Sequence, residues 1–203
     1  MARRIPEIIL IDLVALFVVG VWPVMGAQSA APIPDLAGAW ARTTFGLEPP
    51  ISGRGPIRNR RTYDRQDVTA DYNDPILKPE AAELVKKRNE AQRAGAPYPT
   101  PSSTCRPMVA PYIYRVQEMQ LLQAKDEVTI LYMQDHQVRR VRLNGAHPAK
   151  ITPSWHGDSV GHYEGDTLSI DTVGVKVGPF AIVDQVGSPY SEALHVVERS
   201  PDR

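Results

Sequence analysis

The stretch SWHGDSVGHYEGDTLSID, Ser154 to Asp171, decides the fold that this sequence predicts. Gly165-Asp166 places glycine first in a two-residue loop, an order that favours a type II′ β-hairpin turn. The strand pairs follow by counting outward from this turn. The predicted pairs are Glu164–Thr167, Tyr163–Leu168, His162–Ser169 and Gly161–Ile170.

The two faces of this hairpin differ in polarity, because successive side chains of a strand point to opposite sides. The apolar face carries Tyr163, Leu168 and Ile170. The polar face carries His162, Glu164, Thr167, Ser169 and Asp171. The pattern therefore predicts one core side and one wet side. It leaves open whether the wet side meets bulk solvent or lines a cavity.

Residues 112–203 are predicted to form antiparallel strands. In EVTILYM, 127–133, both faces are apolar, which predicts a central strand covered on both sides. In QVRRVRL, 137–143, Arg139 shares a face with two apolar residues and Arg140 lies on the other face. This second strand is expected to be more exposed.

Two further features belong to the strand region. Asn144-Gly145 is the pair most typical of a tight hairpin turn, although Pro148 interrupts any return strand. In the last predicted strand, EALHVVER, His195 and Glu198 fall on opposite faces and are not expected to pair directly.

One helix is predicted over residues 79–94, with Pro79 in its first turn and Gly95 after its end. Its apolar face is thin, which indicates a surface helix. The rest of residues 30–111 reads as irregular, and the chain holds 19 prolines. The expected fold class is mainly β: an antiparallel sheet or partly closed small barrel, with one surface helix and long Pro-rich loops.

The first 29 residues read as a secretory signal peptide. Arg3 and Arg4 supply a positive start, LVALFVVGVW an apolar centre, and Ala27-Gln28-Ser29 a small-residue cleavage site. The apolar run is about ten residues, short of the roughly twenty that span a bilayer. We therefore expect one mature domain, residues 30–203, exported to the periplasm or the cell exterior, with no stable membrane span after cleavage.

Charge and cysteine content narrow the classes of partner. The chain has 23 Lys plus Arg and 23 Asp plus Glu, so its formal net charge is zero. A neutral chain has no general attraction to nucleic acid, and none is expected as a partner. Cys105 is the only cysteine, which excludes an internal disulfide and predicts a buried or partly buried structural thiol.

Several motifs, in order, resemble a widespread group of uncharacterised exported bacterial proteins. They are DLAGAW, LKPEAAE, the Cys-x-Pro of CRPM, SWHGDSVGHYEGDTLSIDT and SEALHVVER. The group's signature runs Gly-Asp/Ser-Ser-x-Gly-x-Trp-Glu-Gly-Asp-Thr-Leu. This chain departs from it with Tyr163 in place of Trp and His162 where Arg is common. The resemblance implies a β-rich fold and export, without an established reaction.

The resemblance also bears on how the sheet closes. The relatives continue past HVVER with a further strand, so here the last strand near Arg199 is expected to be an exposed edge that could mediate self-association. Separately, Gly38-Ala39-Trp40 is similar to the Gly-x-Trp that opens lipocalin-like barrels. That weaker resemblance implies a small antiparallel barrel in which Arg199 packs on Trp40.

No dedicated catalytic or metal motif is present. His156, Asp158, His162 and Glu164 are ligand-type residues, but no compact His-x-x-x-His or Cys-x-x-Cys unit exists, so neither metal nor cofactor is expected. Ser159 matches Gly-x-Ser-x-Gly formally, yet a β-hairpin follows it where a nucleophile elbow needs a helix.

The leading hypothesis is non-catalytic binding of a small apolar ligand. The first alternative is a hydrolase- or lyase-like enzyme that uses carboxylates and His195. The second is a structural or protein-interaction domain. The catalytic residues of such an enzyme are not identifiable. The predicted ligand-binding residues are His162, Glu164, Ser169, Asp171, His195, Trp155 and Tyr163.

Overall fold

A computed structural model describes residues 33–41, 59–61, 68–96, 98–115, 118–184 and 187–201. The predicted signal peptide, residues 1–29, lies outside them. The described strands are β1 (Gly38–Trp40), β2 (Asn59–Arg61), β3 (Val68–Ala70), β4 (Met119–Gln123), β5 (Glu127–Tyr132), β6 (Val138–Leu143), β7 (Asp158–Glu164), β8 (Thr167–Val173) and β9 (Val196–Pro201), and the α-helix is α1 (Pro79–Arg93).

Seven strands form one mixed sheet, in the order β1-β4-β5-β6-β7-β8-β9, which curls into a half-barrel. Strands β2 and β3 pair separately. The mainly-β prediction is confirmed. The expectation of a wholly antiparallel sheet is wrong at one junction: β6 and β7 run parallel, with Arg142 and Leu143 opposite Val160 and Gly161.

The parallel junction replaces the hairpin that Asn144-Gly145 had indicated. Asn144 takes the left-handed conformation, with φ of 55°, but its backbone N–H donates to the carbonyl of Gly161, 2.8 Å away. Residues 144–157 then cross over before β7 begins. A parallel pair needs such a crossover connection, whereas a tight turn would have produced an antiparallel pair.

The predicted β7–β8 hairpin is confirmed residue by residue, from Glu164 opposite Thr167 to Gly161 opposite Ile170. Gly165 has a φ of +65° and Asp166 does not share this positive φ, as a type II′ turn requires. The local turn chemistry therefore sets the register of the whole pair.

The core lies on the concave inner face of the half-barrel. Leu168 and Ile170, on the predicted apolar face of the hairpin, are fully buried there. They pack with residues of the neighbouring strands, among them Leu121, Val128, Ile130, Val141 and Leu143. His162 and Glu164 are exposed on the opposite face. The wet side of the hairpin thus faces outward.

Strand β5 is central, between β4 and β6, as predicted. Its inner row, which includes Val128 and Ile130, is buried. Its outer row is only partly covered: Leu131 is half-buried, and Met133, just after the strand, is 49% exposed. The predicted cover on both sides is therefore wrong. Residues 112–115 form a 3₁₀ turn, so the strands of this region begin at Met119.

Helix α1 ends one residue before its predicted end. It buries Val85, Arg88 and Asn89, while Leu84 is exposed. The Asn89 side-chain amide donates to the Ala70 carbonyl at 2.8 Å and ties the helix to β3. Cys105 is exposed, which corrects the expectation of a buried thiol.

In the part of the chain that the structure describes, no helix has the length and apolarity needed to cross a membrane.

Candidate functional site

The seven predicted ligand-binding residues occupy three separate places. His162, Glu164, Ser169, Asp171 and His195 belong to the outer face of the sheet or its edge. Tyr163 is half-buried on the inner face, where its hydroxyl accepts from the Gln123 side-chain amide at 2.7 Å. Trp155 lies in the crossover, residues 144–157. The structure does not bring these residues together.

The outer face carries a chain of alternating carboxylates and imidazoles. Asp158 on β7 lies 2.6 Å from Nδ1 of His147, and Asp171 on β8 lies 3.1 Å from Nε2 of the same ring. Nε2 of His195 then lies 2.9 Å from both carboxylate oxygens of Asp171. Sequence reasoning missed His147, because it stands in a loop without periodicity.

This geometry favours the charged form of His147. A neutral imidazole has one N–H, but both ring nitrogens of His147 face carboxylate oxygens, so the ring must be an imidazolium to donate to both. Burial by itself would lower the pKa of His147, but the hydrogen bonds that the ring donates to Asp158 and Asp171 raise it above its ordinary value. An imidazolium that donates from both ring nitrogens has no lone pair with which to act as a general base.

The two carboxylates are stabilised in their charged form. Arg142 contacts Asp158 through both guanidinium nitrogens, at 2.7 and 2.9 Å, and this hydrogen bonding lowers the pKa of Asp158, with a further contribution from His147. Burial opposes the charge of Asp171, but hydrogen bonds to His195 and His147 hold the pKa of that carboxyl below its usual value.

A second outer pair joins His162 to Glu164, with 2.8 Å between Nε2 and Oε1. Arg199 lies 3.6 Å from the same glutamate, and all three side chains are about half exposed. They form an ordinary exposed surface cluster, within β7 and between β7 and β9. Arg199 therefore projects to the outer face, whereas the expected partner, Trp40, packs against the inner core.

The inner face contains a buried ion pair between β6 and β9. Arg139, whose side chain is 1% exposed, contacts both carboxylate oxygens of Glu198, at 3.1 and 2.5 Å. Its remaining N–H groups also have partners, so the guanidinium is fully satisfied and offers no free donor to a ligand. Those partners are Ser159, Thr172, Tyr132 and Tyr114.

Sequence reasoning missed this network, although a signal was present. Arg139 stands in the inward row of Val141 and Leu143, and Glu198 stands in the inward row of Val196: opposite charges occupy two apolar rows. The prediction that His195 and Glu198 do not pair is confirmed. Ser159 is buried within β7 and accepts from Arg139 Nε at 2.9 Å, a structural position that does not suit a nucleophile.

His156 lies beside the network, with its ring stacked on Tyr132 at 5.9 Å between centroids. Burial, followed by the charge of Arg139, lowers the pKa of His156 to about 4. Its Nδ1 is buried and has no hydrogen-bond partner within the described structure. His156 is therefore a neutral ring that packs on the core.

A shallow groove, open to solvent, lies among the loops, and its enclosed part has room for about one water molecule. Its lining is mainly apolar: Pro101, Pro107, Val109, Trp155, Gly178, Pro179, Ala181, Ile182 and Tyr190, with Arg106 as the charged member. Lys176 lies 5.0 Å from the centre of the Trp155 ring, and its carbonyl accepts from the Tyr190 hydroxyl at 3.1 Å.

Arg106 differs from the other basic side chains described above. Its guanidinium makes no salt bridge or hydrogen bond with any residue in the described ranges. Across those same ranges, no three His, Cys, Asp or Glu side chains are placed to hold a metal ion.

No protein-family profile, characterised protein or solved structure matches this chain. The functional assignment therefore rests on the geometry of the groove and of the two polar networks.

Proposed function

We propose that this protein is an exported, non-catalytic binding domain for a small, mainly apolar molecule, and that the ligand occupies the groove beside Trp155. The observation that carries the proposal is the combination of aromatic and proline walls with Arg106, a cation that has no ion-pair partner among the described residues. Trp155 and Tyr190 supply flat apolar surface, and the prolines are rigid, so little conformational entropy is lost on binding.

Arg106 narrows the chemical class of the ligand. A guanidinium with no partner in the part of the chain that the structure describes, in an otherwise apolar groove, favours a ligand that carries a carboxylate. Lys176, already positioned over Trp155, adds positive charge at the same place. An aromatic carboxylate satisfies both features, since its ring can lie against Trp155 while its carboxylate reaches Arg106.

The alternative of an enzyme has less support. Of the residues that the enzyme hypothesis uses, Asp171 and His195 lie 2.9 Å apart, while Glu164 pairs with His162. Asp171 and His195 lie on an open surface, where water is not excluded and electrostatic stabilisation is weak. The geometry therefore favours binding over catalysis.

Calorimetric titration of the purified protein with 1-naphthoate and with the uncharged 1-naphthalenemethanol tests the proposal. We expect naphthoate to bind, Trp155→Ala to abolish binding of both compounds, and Arg106→Gln to weaken naphthoate alone, by roughly tenfold. Arg140→Gln, which removes an exposed arginine outside the groove, is the matched control. No heat from either compound, or equal binding by the Trp155 variant, would overturn the proposal.

A second proposal concerns self-association. Strand β9 has β8 as its only neighbour among the described strands, and Val197 is 50% exposed on it. An open strand edge can pair with a second copy, and lysine on an edge strand opposes such pairing. We expect light scattering to show concentration-dependent dimers that Val197→Lys removes and Val138→Lys leaves intact, since Val138 is equally exposed but lies on the interior strand β6. Dimers insensitive to Val197→Lys, or a monomer at all concentrations, would contradict it.

A further inference from the structure

His147 fastens the crossover to the sheet. It belongs to residues 144–157, and its two ring nitrogens reach Asp158 on β7 and Asp171 on β8. We propose that His147 is a pH-operated clasp, closed when the imidazole is protonated, which holds the crossover on the outer face of the sheet and thereby positions the groove. The effect on ligand binding rests on the proposed function; the clasp itself does not.

The stereochemistry of the ring requires a proton-dependent contact. When His147 loses a proton, one nitrogen keeps its N–H and the other presents a lone pair. That lone pair would face a carboxylate oxygen at 2.6 or 3.1 Å, which is repulsive in either tautomer. The neutral ring can therefore hold only one of the two strands, and the clasp opens.

The charged and titratable groups around His147 lie on β6, β7, β8 and the segment before β9. Arg142 on β6 holds Asp158 and also approaches the Ala146 carbonyl in the crossover, at 3.4 Å. His195, in the segment before β9, shares Asp171 with His147. Arg142 stays charged throughout the working range, and it keeps Asp158 ionised while His147 titrates.

Asp171 is the common anchor of two segments that reach the groove. Through His147 it holds the crossover that carries Trp155, and through His195 it holds the loop that carries Tyr190. The two aromatic walls of the groove thus lie on segments that are fastened to one carboxylate. Release of His147 frees one of those walls.

The pH range over which the clasp is closed follows from the directions in which the pKa values of His147, Asp158 and Asp171 are shifted. His147 has a raised pKa. The stability that it gives to the closed clasp is therefore complete below the ordinary value of 6.5 and is lost as the pH rises through the raised value. Asp158 and Asp171 have lowered pKa values. The stability that they give to the closed clasp is therefore complete above the ordinary aspartate value of 3.8 and is lost as the pH falls through the lowered values. The clasp is therefore closed between pH 3.8 and 6.5 and opens on the alkaline side.

Amide hydrogen exchange tests the clasp without any ligand. Exchange over residues 144–157, corrected for intrinsic rates, is compared at about pH 5.5 and about pH 8. We expect protection to fall by roughly tenfold or more at the higher pH in the wild type. In His147→Gln it should be low at both. His162→Gln is the matched control, because His162 contacts a single carboxylate on the same face, and it should behave as the wild type.

Two results would overturn the clasp: equal protection of the wild type at both pH values, or an unchanged pH response in His147→Gln. A response that appears only with added zinc and disappears with EDTA would also overturn it, since a metal and not a proton would then join the residues. A pH-dependent clasp in a protein that binds neither naphthalene compound would refute the proposed function alone.

Discussion

At the scale of the residue, the buried Arg139 determines how the half-barrel is held together. Its partners come from β5, β7, β8 and β9, so one side chain joins four strands to its own. Burial alone would lower the pKa of Arg139, but Glu198 and the surrounding hydroxyl groups raise it well above its usual range. A buried charge of this kind is tolerable only with every hydrogen bond made.

Removal of one member of this ion pair should be costly. We expect Arg139→Met to lower the free energy of unfolding by about 3–5 kcal/mol, because Glu198 is left as a buried, uncompensated carboxylate. The double variant Arg139→Met, Glu198→Leu should recover much of that loss. Urea denaturation measures both, with Arg140→Met, whose side chain is 76% exposed, as the control. Equal losses in the single and the double variant would show that the charge pairing is not the cause.

The same residue marks a limit of prediction from the sequence. Alternation predicts that Arg139 shares a face with Val141 and Leu143, but the strand is expected to be more exposed, and nothing in the pattern predicts a buried Arg139. Its partner Glu198 lies 59 positions further along the chain. Local periodicity gives the direction of a side chain, whereas the pairing of two distant charges depends on how the whole sheet curls.

At the scale of the element, the β7–β8 hairpin is the part that local chemistry determines most completely. Gly165 holds a φ of +65° with open space around the position of a side chain. The preference for glycine there is therefore conformational and owes nothing to packing.

The conformational preference at Gly165 can be tested by comparing it with Gly145. Gly165→Ala should lower stability by about 1 kcal/mol, since an L-residue is strained at positive φ. Gly145→Ala meets equally open space without a positive φ and should change stability by roughly 0.5 kcal/mol or less. Thermal unfolding of the two variants makes the comparison. Equal losses would show that the turn conformation is not what selects glycine at position 165.

Helix α1 and the hairpin were predictable because their signals are local: a proline at the helix start, a glycine after its end, and a Gly-Asp turn. The β6–β7 pairing was not. Asn144-Gly145 satisfies the local rule for a tight turn, yet the chain crosses over, and β6 then lies close against β7. A Cβ on Gly161 would lie 2.9 Å from the Val141 side chain. Such a close approach cannot be read from the turn itself.

At the scale of the whole molecule, alternation along the strands was enough to predict a mainly-β, partly closed architecture. The candidate site was predicted less well, because a list of polar residues contains no information on which face is concave. Five of the seven predicted residues lie on the outer face. Trp155 reaches the groove, and Arg106 and His147 were not recognised, since both stand in loops where no periodicity assigns a direction.

The parallel junction has a consequence for the order in which the chain folds. Strands β4 to β6 and β7 to β9 are two antiparallel groups, and the contacts between them include the two parallel residue pairs and the Arg139–Glu198 ion pair. The β4–β5, β5–β6 and β7–β8 turns close short loops, whereas the parallel junction needs the crossover of residues 144–157, and β9 joins β8 only across residues 174–195. Both of these longer closures slow folding. The Arg139–Glu198 contact spans both of these connections, so we expect it to form late in folding and to act mainly by slowing unfolding.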